Sequence, residues 1–167
     1  ITAPAAVQAN NTPGLCTGTV TLGDAVRADN CGVATVTNDA PATFPVGSTT
    51  VTWTVTDIHG NTATATQTVV IVDNEKPTIT APGPVTVSTD SGICEATAVN
   101  LGTPETGDNC SVADVSNDAP SVFPIGETLI TWTVNDASGN TETATQLVNV
   151  IDDEKPTITA PGPVTVS

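Results

Sequence analysis

The chain has very little positive charge. Its 167 residues include three basic side chains against eighteen acidic ones, which gives a formal net charge of −15. Such a chain has no cationic patch with which to displace the counterions of phosphate groups, so nucleic acids and acidic lipid surfaces are excluded as partners. It also has no run of eighteen apolar residues, and we therefore expect no direct insertion into a membrane.

Aromatic side chains are scarce as well. The sequence has no tyrosine and no methionine, and it has only two tryptophans and two phenylalanines. An aromatic platform for sugar binding, or a methionine-rich groove for peptide binding, is therefore hard to build from this chain.

Threonine, valine and alanine are abundant instead. Threonine and valine favour pleated, half-buried strands, and no window shows the apolar periodicity of a helix. Apolar residues and threonines alternate with period two at 51–56 and 130–135, and further alternating segments follow at 62–72 and 141–151. The five-residue segments that connect them contain glycine and are typical of hairpin loops. The sequence thus predicts an all-β chain with the short, punctuated strands of a sandwich.

The chain repeats itself. Trp53 recurs as Trp132 and Phe44 recurs as Phe123, each 79 residues later. A period of this length suits small β-domains in tandem rather than a solenoid. The recurrence predicts three segments: a first repeat at 1–76, a second at 77–155, and the opening strand of a third at 156–167, which repeats 77–88 without change. We interpret the chain as part of a longer array.

Each repeat contains two cysteines, which could compensate for the small core of a domain of this size. We predict that Cys16 pairs with Cys31 and that Cys94 pairs with Cys110, each pair closing a loop of about 15 residues. The alternative is metal-binding thiols, but a zinc site needs four ligands and the chain has one histidine. Disulfides indicate an oxidising environment, and we therefore expect a secreted or cell-surface location.

Four motifs recur in the same order in both repeats. They are Asp-Asn-Cys at 29–31 and 108–110, Phe-Pro-Val/Ile-Gly at 44–47 and 123–126, Thr-Trp-Thr-Val-x-Asp-x-x-Gly-Asn at 52–61 and 131–140, and Asp-x-Glu-Lys-Pro at 73–77 and 152–156. Together they resemble the hyalin repeat (HYR) domain family. The resemblance implies tandem immunoglobulin-like β-sandwiches arranged end to end, with an extracellular, non-enzymatic role in adhesion or as a stalk. Acidic, threonine-rich chains of this kind resemble repeats of giant bacterial surface adhesins, including those that drive gliding motility.

An enzymatic function is not predicted. The single histidine, His59, lies in a hairpin loop, and its counterpart in the second repeat is Ser138. No serine or cysteine nucleophile is tied to it by spacing, so a catalytic arrangement of the nucleophile-and-base type is absent from the pattern.

Acidic residues gather where one repeat meets the next, and they suggest a calcium site. Asp73 and Glu75 lie in the linker, and the fold is expected to place Asp136 and Asn140 of the final hairpin loop beside them, with Asp108 at the same end. Oxygen atoms from separate segments suit calcium, and repulsion between carboxylates favours a bound cation. Only the junction between the two repeats can be complete, so one site is expected.

The alternative is that these residues only form turns. Asp and Asn side chains often accept hydrogen bonds from their own backbone at hairpin corners. On that interpretation Asp57, Asn61, Asp136 and Asn140 would be turn formers exposed to solvent, with no metal.

The function predicted from the sequence is a structural spacer in the shaft of a secreted adhesin. Its partners would be neighbouring repeats of the same parent chain, while an unknown glycan or protein ligand is bound elsewhere, and the piece itself would be monomeric. The rival hypothesis is a binding module whose loops contact a glycan or protein directly. That hypothesis would need exposed aromatics or an unusual loop in one repeat, and neither is visible.

Overall fold

The computed structural model describes residues 1–163, and it contains fourteen β-strands and no helix within that range. The strands of the first copy are β1 (Val7–Asn10), β2 (Thr17–Gly18), β3 (Val33–Asn38), β4 (Phe44–Pro45), β5 (Gly47–Asp57) and β6 (Thr62–Val72). The strands of the second copy are β7 (Thr78–Thr80), β8 (Val85–Ser88), β9 (Glu95–Thr97), β10 (Glu105–Gly107), β11 (Val112–Asn117), β12 (Val122–Pro124), β13 (Gly126–Asp136) and β14 (Thr141–Ile151). The described part accordingly has no helix long and apolar enough to cross a membrane.

A four-stranded sheet with a long hairpin at its centre forms one layer of each copy. The strand orders are β1-β6-β5-β3 and β11-β13-β14-β8. In the first copy β5 and β6 pair antiparallel without interruption from Gly47 opposite Ile71 to Thr56 opposite Thr62, while β1 runs parallel to β6. Short pairs complete the pattern: β2 with β4, β9 with β12, and β7 with β10.

The short pair β2-β4 forms the facing layer of the first copy. Phe44 of β4 is buried against the long hairpin, and a β-carbon added to Gly18 of β2 would come within 3.1 Å of the Ile71 side chain. This close approach explains why the position carries glycine. The all-β class and the immunoglobulin-like sandwich predicted from the sequence are confirmed.

The two cores follow from the alternation along the long strands. Val51 and Trp53 of β5 point to the same face, because side chains alternate along a strand, and they pack with Val69 and Ile71 of β6 and with Phe44. The second core is built in the same way, from Ala96, Phe123, Ile130, Trp132, Val148 and Val150. Full burial of each large side chain of this kind contributes roughly 1.5–3 kcal/mol to folding.

A glutamine lies inside each core and satisfies three polar groups there. The Gln67 side chain, 1% exposed, accepts a hydrogen bond from Trp53 Nε1 at 3.0 Å and donates to the carbonyls of Ala5 and Leu22 at 2.8 and 2.9 Å. Since Ala5 and Leu22 belong to irregular segments, this side chain supplies the partners that a strand ladder cannot. Gln146 makes the same three contacts in the second core, with Trp132, Gly83 and Leu101.

The contacts divide the chain into two compact units that differ from the repeats of the sequence. The first unit contains Ile1–Thr78 together with Thr106–Asp114 and Val134–Glu142. The second contains Ile79–Glu105, Val115–Thr133 and the described residues from Thr143 onward. One loop of the second copy and the tip of its long hairpin therefore belong to the first compact unit.

The opening strand predicted for a third repeat at 156–167 does not appear in the described residues. Residues 156–163 form no strand, and 164–167 lie outside the described part of the chain. The physical reason is the lack of a partner, because β7, the counterpart of this segment in the second copy, is paired with β10.

We expect Gln67→Leu to lower the free energy of unfolding of the first unit by roughly 2–4 kcal/mol, since Trp53 Nε1 and two buried carbonyls would lose their partners. Urea denaturation followed by tryptophan fluorescence measures this loss. Gln8→Leu is the matched control, because Gln8 is exposed on β1 and undergoes the same chemical change. Equal effects of the two substitutions would contradict the role given to Gln67.

Candidate junction site

A tight turn carries Cys16 and is stabilised by the linker. Leu15 N donates to Thr12 O at 2.9 Å, and Glu75 Oε2 accepts from Gly14 N at 2.8 Å and from Asn11 Nδ2 at 3.4 Å. The carboxylate of Glu75 is therefore occupied by the turn that contains Cys16.

A second turn carries Cys110. Asp108 Oδ2 accepts hydrogen bonds from the backbone N–H groups of Cys110 and Ser111 at 2.8 and 2.7 Å, as an Asp that begins a turn commonly does. Ala137 N donates to Ser111 O at 3.2 Å. This contact attaches the turn to the hairpin loop that follows β13.

Cys16 and Cys110 form a disulfide, with their Cα atoms 4.7 Å apart and a sequence separation of 94. The pairings predicted from the sequence, Cys16 with Cys31 and Cys94 with Cys110, are wrong. Cys31 and Cys94 are free thiols, and both are exposed. The disulfide thus joins a turn of the first repeat to a turn of the second, and both turns belong to the first compact unit.

The reason for this pairing is the position of the two cysteine turns along β5. Val46 N, just before β5, donates to Cys16 O, whereas Ile58 N, just after β5, donates to the carbonyl of Gly32, next to Cys31. The eleven residues of β5 separate these points by roughly 36 Å at the rise of a strand. A disulfide needs Cα atoms within about 7 Å of each other, so Cys16 and Cys31 cannot bond within one repeat.

The hairpin loop after β13 is held by Asp136, which is 4% exposed. Its Oδ1 accepts from Ser138 N at 2.9 Å and from Asn140 N at 2.7 Å, and its Oδ2 accepts from Asn140 Nδ2 at 2.7 Å. Burial raises the pKa of Asp136, but the hydrogen bonds from Asn140, Ser138 and Gly139 outweigh it, and the pKa lies below its usual value. The corresponding Asp57 also has a lowered pKa, chiefly because of the Asn61 side chain.

Asp73, at the start of the linker, lies among these loops and is 4% exposed. Its Oδ1 accepts from Asn109 Nδ2 at 3.3 Å, and its Oδ2 accepts from Ser138 Oγ at 3.3 Å. Its backbone carbonyl accepts from Asn140 Nδ2 at 3.2 Å. The linker is thereby fastened to the turn that carries Cys110 and to the hairpin loop.

Two carboxylates of this site lie close together, and neither is part of an ion pair within the described residues. Ligand atoms of Asp73, Asp108 and Cys110 lie within 4.8 Å of one another, but the sulfur is engaged in the disulfide and offers no thiolate. Asp108 Oδ1 and Asn109 Oδ1 are buried and have no hydrogen-bond partner in the described part of the chain. The ion pair of this region joins Lys76 to Glu142 instead, at 3.2 Å. The carboxylates of Asp73 and Asp108, together with the amide oxygen of Asn109, form a set of oxygen donors that suits a hard cation such as calcium.

The predicted ligand residues are distributed unevenly around this cluster. Asp73 and Asp108 lie within it, and Asn140 borders it through the Asp73 carbonyl, with Asp136 behind Asn140. Glu75 faces the Cys16 turn and is not in the cluster. Asn109 and Ser138 contribute polar atoms that were absent from the predicted set. The Asp-Asn-Cys motif indicates Asn109, whereas no sequence signal indicates Ser138.

The model of the HYR domain family matches this chain twice, at residues 1–71 and 72–150. The chain belongs to the HYR domain family. The HYR chain is 36% identical over 153 residues to hyalin of Lytechinus variegatus. The match covers 85% of this chain and 29% of that protein. It is 38% identical over 146 residues to hyalin of Strongylocentrotus purpuratus. That match covers 80% of this chain and 12% of that protein. The HYR chain therefore spans less than a third of either relative.

Among solved structures, this HYR chain is similar to the first three extracellular cadherin domains of protocadherin gamma C5. The sequence identity is 13% and the TM-score is 0.42, and the match covers 88% of this chain and 66% of that chain.

Alkylation of the unfolded but unreduced chain tests the disulfide pairing. We expect iodoacetamide to label Cys31 and Cys94 and to leave Cys16 and Cys110 unlabelled, and we expect a peptide map to contain a linked Cys16–Cys110 pair. The reduced chain, in which all four cysteines react, is the control. Linked Cys16–Cys31 and Cys94–Cys110 peptides, with no reactive thiol, would support pairing within each repeat and contradict the structure.

The lowered pKa of Asp136 predicts a loss of stability in acid. A carboxyl group whose pKa is lower in the folded state stabilises the fold fully above its unfolded value of 3.8, and this contribution disappears as the pH falls through the folded pKa. We expect Asp136→Asn to flatten the decrease in unfolding free energy below pH 3.8, measured by urea denaturation at several pH values. Asp24→Asn, at an exposed position, removes the same charge and should retain the decrease. A decrease that survives Asp136→Asn in full would refute this assignment.

Proposed function

We propose that this HYR chain is a non-enzymatic stalk or spacer segment of an extracellular adhesion protein, and that calcium stiffens the junction between its repeats. The observation that carries the proposal is the Asp73–Asp108 pair, where buried oxygens of Asp108 and Asn109 have no partner among the described residues. These atoms lie where the linker meets two loops of the following repeat.

Membership in the HYR family and similarity to hyalin support the adhesion role, and the disulfide supports an oxidising, extracellular location. The partners we propose are neighbouring repeats of the parent chain, and a glycan or protein ligand bound elsewhere in it. A shaft segment of a large surface adhesin, including the gliding-motility kind, fits this proposal.

Calcium would act at the junction by replacing repulsion between carboxylates with attraction to one cation. Asp73 and Asp108 would supply carboxylate oxygens, and Asn109 would supply its side-chain Oδ1. When bound, the ion supplies positive charge and a demand for six to eight oxygen ligands. Asp136 and Asn140 position the hairpin loop beside these ligands, since Asn140 is held by Asp136 and donates to the Asp73 carbonyl.

A spacer function also agrees with the way the titratable groups are used. Asp136 and Asp108 accept hydrogen bonds from the backbone of their own turns, and Glu75 accepts one from Gly14. These carboxylates thus stabilise the conformation of loops. His59 lies in an exposed loop, without a nucleophile assigned to it by the sequence.

Calorimetric titration with calcium tests the proposal, and the repeated sequence supplies matched controls. We expect one site, and we expect Asp73→Asn and Asp108→Asn each to weaken binding by about tenfold or more, because carboxylate count sets calcium affinity. The controls are Asp152→Asn and Asp29→Asn, which change the exposed counterparts of these two residues and should leave binding unchanged.

Small-angle scattering in calcium and in EDTA gives a second, mechanical readout. If calcium stiffens the junction, chelation should broaden the distribution of interatomic distances in the wild type, and Asp73→Asn should show the broad distribution in both buffers. Absence of binding heat together with superimposable scattering curves would refute the calcium role. Equal weakening by Asp73→Asn and Asp152→Asn would indicate diffuse attraction to an acidic surface rather than a site.

A further inference from the structure

The turn that carries the free thiol of Cys31 has the same structure as the turn that carries the bonded Cys110. Asp29 Oδ1 accepts from Cys31 N at 2.8 Å and from Gly32 N at 3.0 Å, as Asp108 does in the second repeat. Asn30 Nδ2 lies 3.4 Å from Cys31 Sγ, and the corresponding distance from Asn109 to Cys110 is 3.5 Å. The turn is therefore formed whether or not its cysteine is bonded.

The turn of the other free thiol, Cys94, matches the turn of the bonded Cys16 equally well. Glu154 Oε2 accepts from Gly92 N at 2.8 Å, the same distance as between Glu75 and Gly14. Ile93 N donates to Asp90 O at 3.1 Å, as Leu15 N does to Thr12 O at 2.9 Å. Cys94 is therefore presented as Cys16 is, but with its sulfur exposed.

Polar groups of the junction accompany each free thiol as well. Asp29, Asp57 and Asn61, the counterparts of Asp108, Asp136 and Asn140, line an open groove beside the Cys31 turn. A second groove contains Cys94 together with Asp152 and Glu154, the counterparts of Asp73 and Glu75. One part of the chain thus displays the loop side of a junction, and another part displays the linker side.

We propose that Cys31 and Cys94 are the two halves of a further junction disulfide, and that each takes as its partner the complementary turn of another HYR repeat of this kind. Cys94 of one repeat bonds to the residue equivalent to Cys31 in the repeat that follows it. The inference rests on the Cys16–Cys110 disulfide, in which turns of these two types are already joined, and it does not depend on calcium.

Formation of this bond requires an oxidant that takes up two electrons and two protons from the two thiols. A small-molecule disulfide such as oxidised glutathione accepts them and is itself reduced. The thiolate of one cysteine attacks a glutathione sulfur and releases one glutathione thiol. The thiolate of the other cysteine then attacks the protein sulfur of the mixed disulfide and releases the second glutathione. Two protein thiols and one oxidised glutathione thus give one protein disulfide and two reduced glutathione molecules.

Two single variants of the whole chain test whether the two turns choose each other. Cys31→Ser retains only the Cys94 thiol, and Cys94→Ser retains only the Cys31 thiol. Mixed in equal amounts with glutathione redox buffer, they should form the Cys31–Cys94 heterodimer in excess of both homodimers by about tenfold or more, because docking of complementary faces raises the local thiol concentration. Non-reducing electrophoresis and mass spectrometry of the linked peptides measure the ratio.

The same test is run in calcium and in EDTA, so that its outcome is separable from the calcium proposal. An excess of heterodimer in either buffer supports the inference. Homodimers at the frequency expected from random pairing would overturn it. Peptide maps that still contain the Cys16–Cys110 link show that the chain has remained intact. The double variant Cys31→Ser/Cys94→Ser should stay monomeric, and oligomers of it would show that other groups are responsible.

A longer polypeptide distinguishes a partner in the same chain from a partner in a second copy. It is the whole chain with one added repeat, in which residues 77–155 are followed directly by a second copy of 77–155. Junction pairing should leave the number of free thiols per chain unchanged, whereas unlinked turns would add one free thiol for each added cysteine. Linkage only in the longer chain assigns the partner to the same polypeptide, and linkage in neither experiment would overturn the inference.

Discussion

Each copy of this fold is organised around one long strand with a cysteine turn at either end. In the first copy the Cys16 turn contacts the start of β5 and the Cys31 turn contacts its end, and the strand extends over roughly 36 Å between these two points. No rearrangement of loops can bring two such turns together while the hairpin of β5 and β6 remains paired. A cysteine in either turn can therefore bond only to a residue outside its own sandwich, as Cys16 does with Cys110.

The disulfide also determines the electrostatics of the junction. In a chain with a net charge of −15, carboxylates would ordinarily separate into solvent, yet Asp73 and Asp108 have oxygens within 4.8 Å of each other. The Cys16–Cys110 bond fixes the turn that contains Asp108 next to the linker, and a link over 94 residues removes about 4–5 kcal/mol of chain entropy from the unfolded state in the simplest model. Such a constraint can maintain a charge arrangement that side-chain contacts alone would not.

The strands could be predicted from the sequence because their signals are local. Alternation around Trp53 and Trp132, and glycine at Gly60 and Gly139, determine where the long hairpins run and turn. The disulfide pairing could not be predicted in this way, because a short separation between Cys16 and Cys31 in sequence says nothing about the strand that separates them in space. The partner of Glu75 could not be predicted for a related reason, because side chains close together in the linker contact different loops. Asp73 contacts the hairpin loop, whereas Glu75 contacts the Cys16 turn.

The repetition of the sequence separates what a turn needs from what a junction needs. Asp29 and Asp108 begin identical turns, and both make the same backbone hydrogen bonds, so these bonds require no neighbour. Of these two aspartates, Asp108 has an oxygen that is buried without a partner among the described residues, and the linker carboxylate of Asp73 lies near it. The turn is thus a property of each repeat, whereas the buried, partnerless oxygen of Asp108 is found where the linker of the preceding repeat supplies Asp73. In the calcium proposal, this difference assigns the site to the junction and not to the isolated HYR fold.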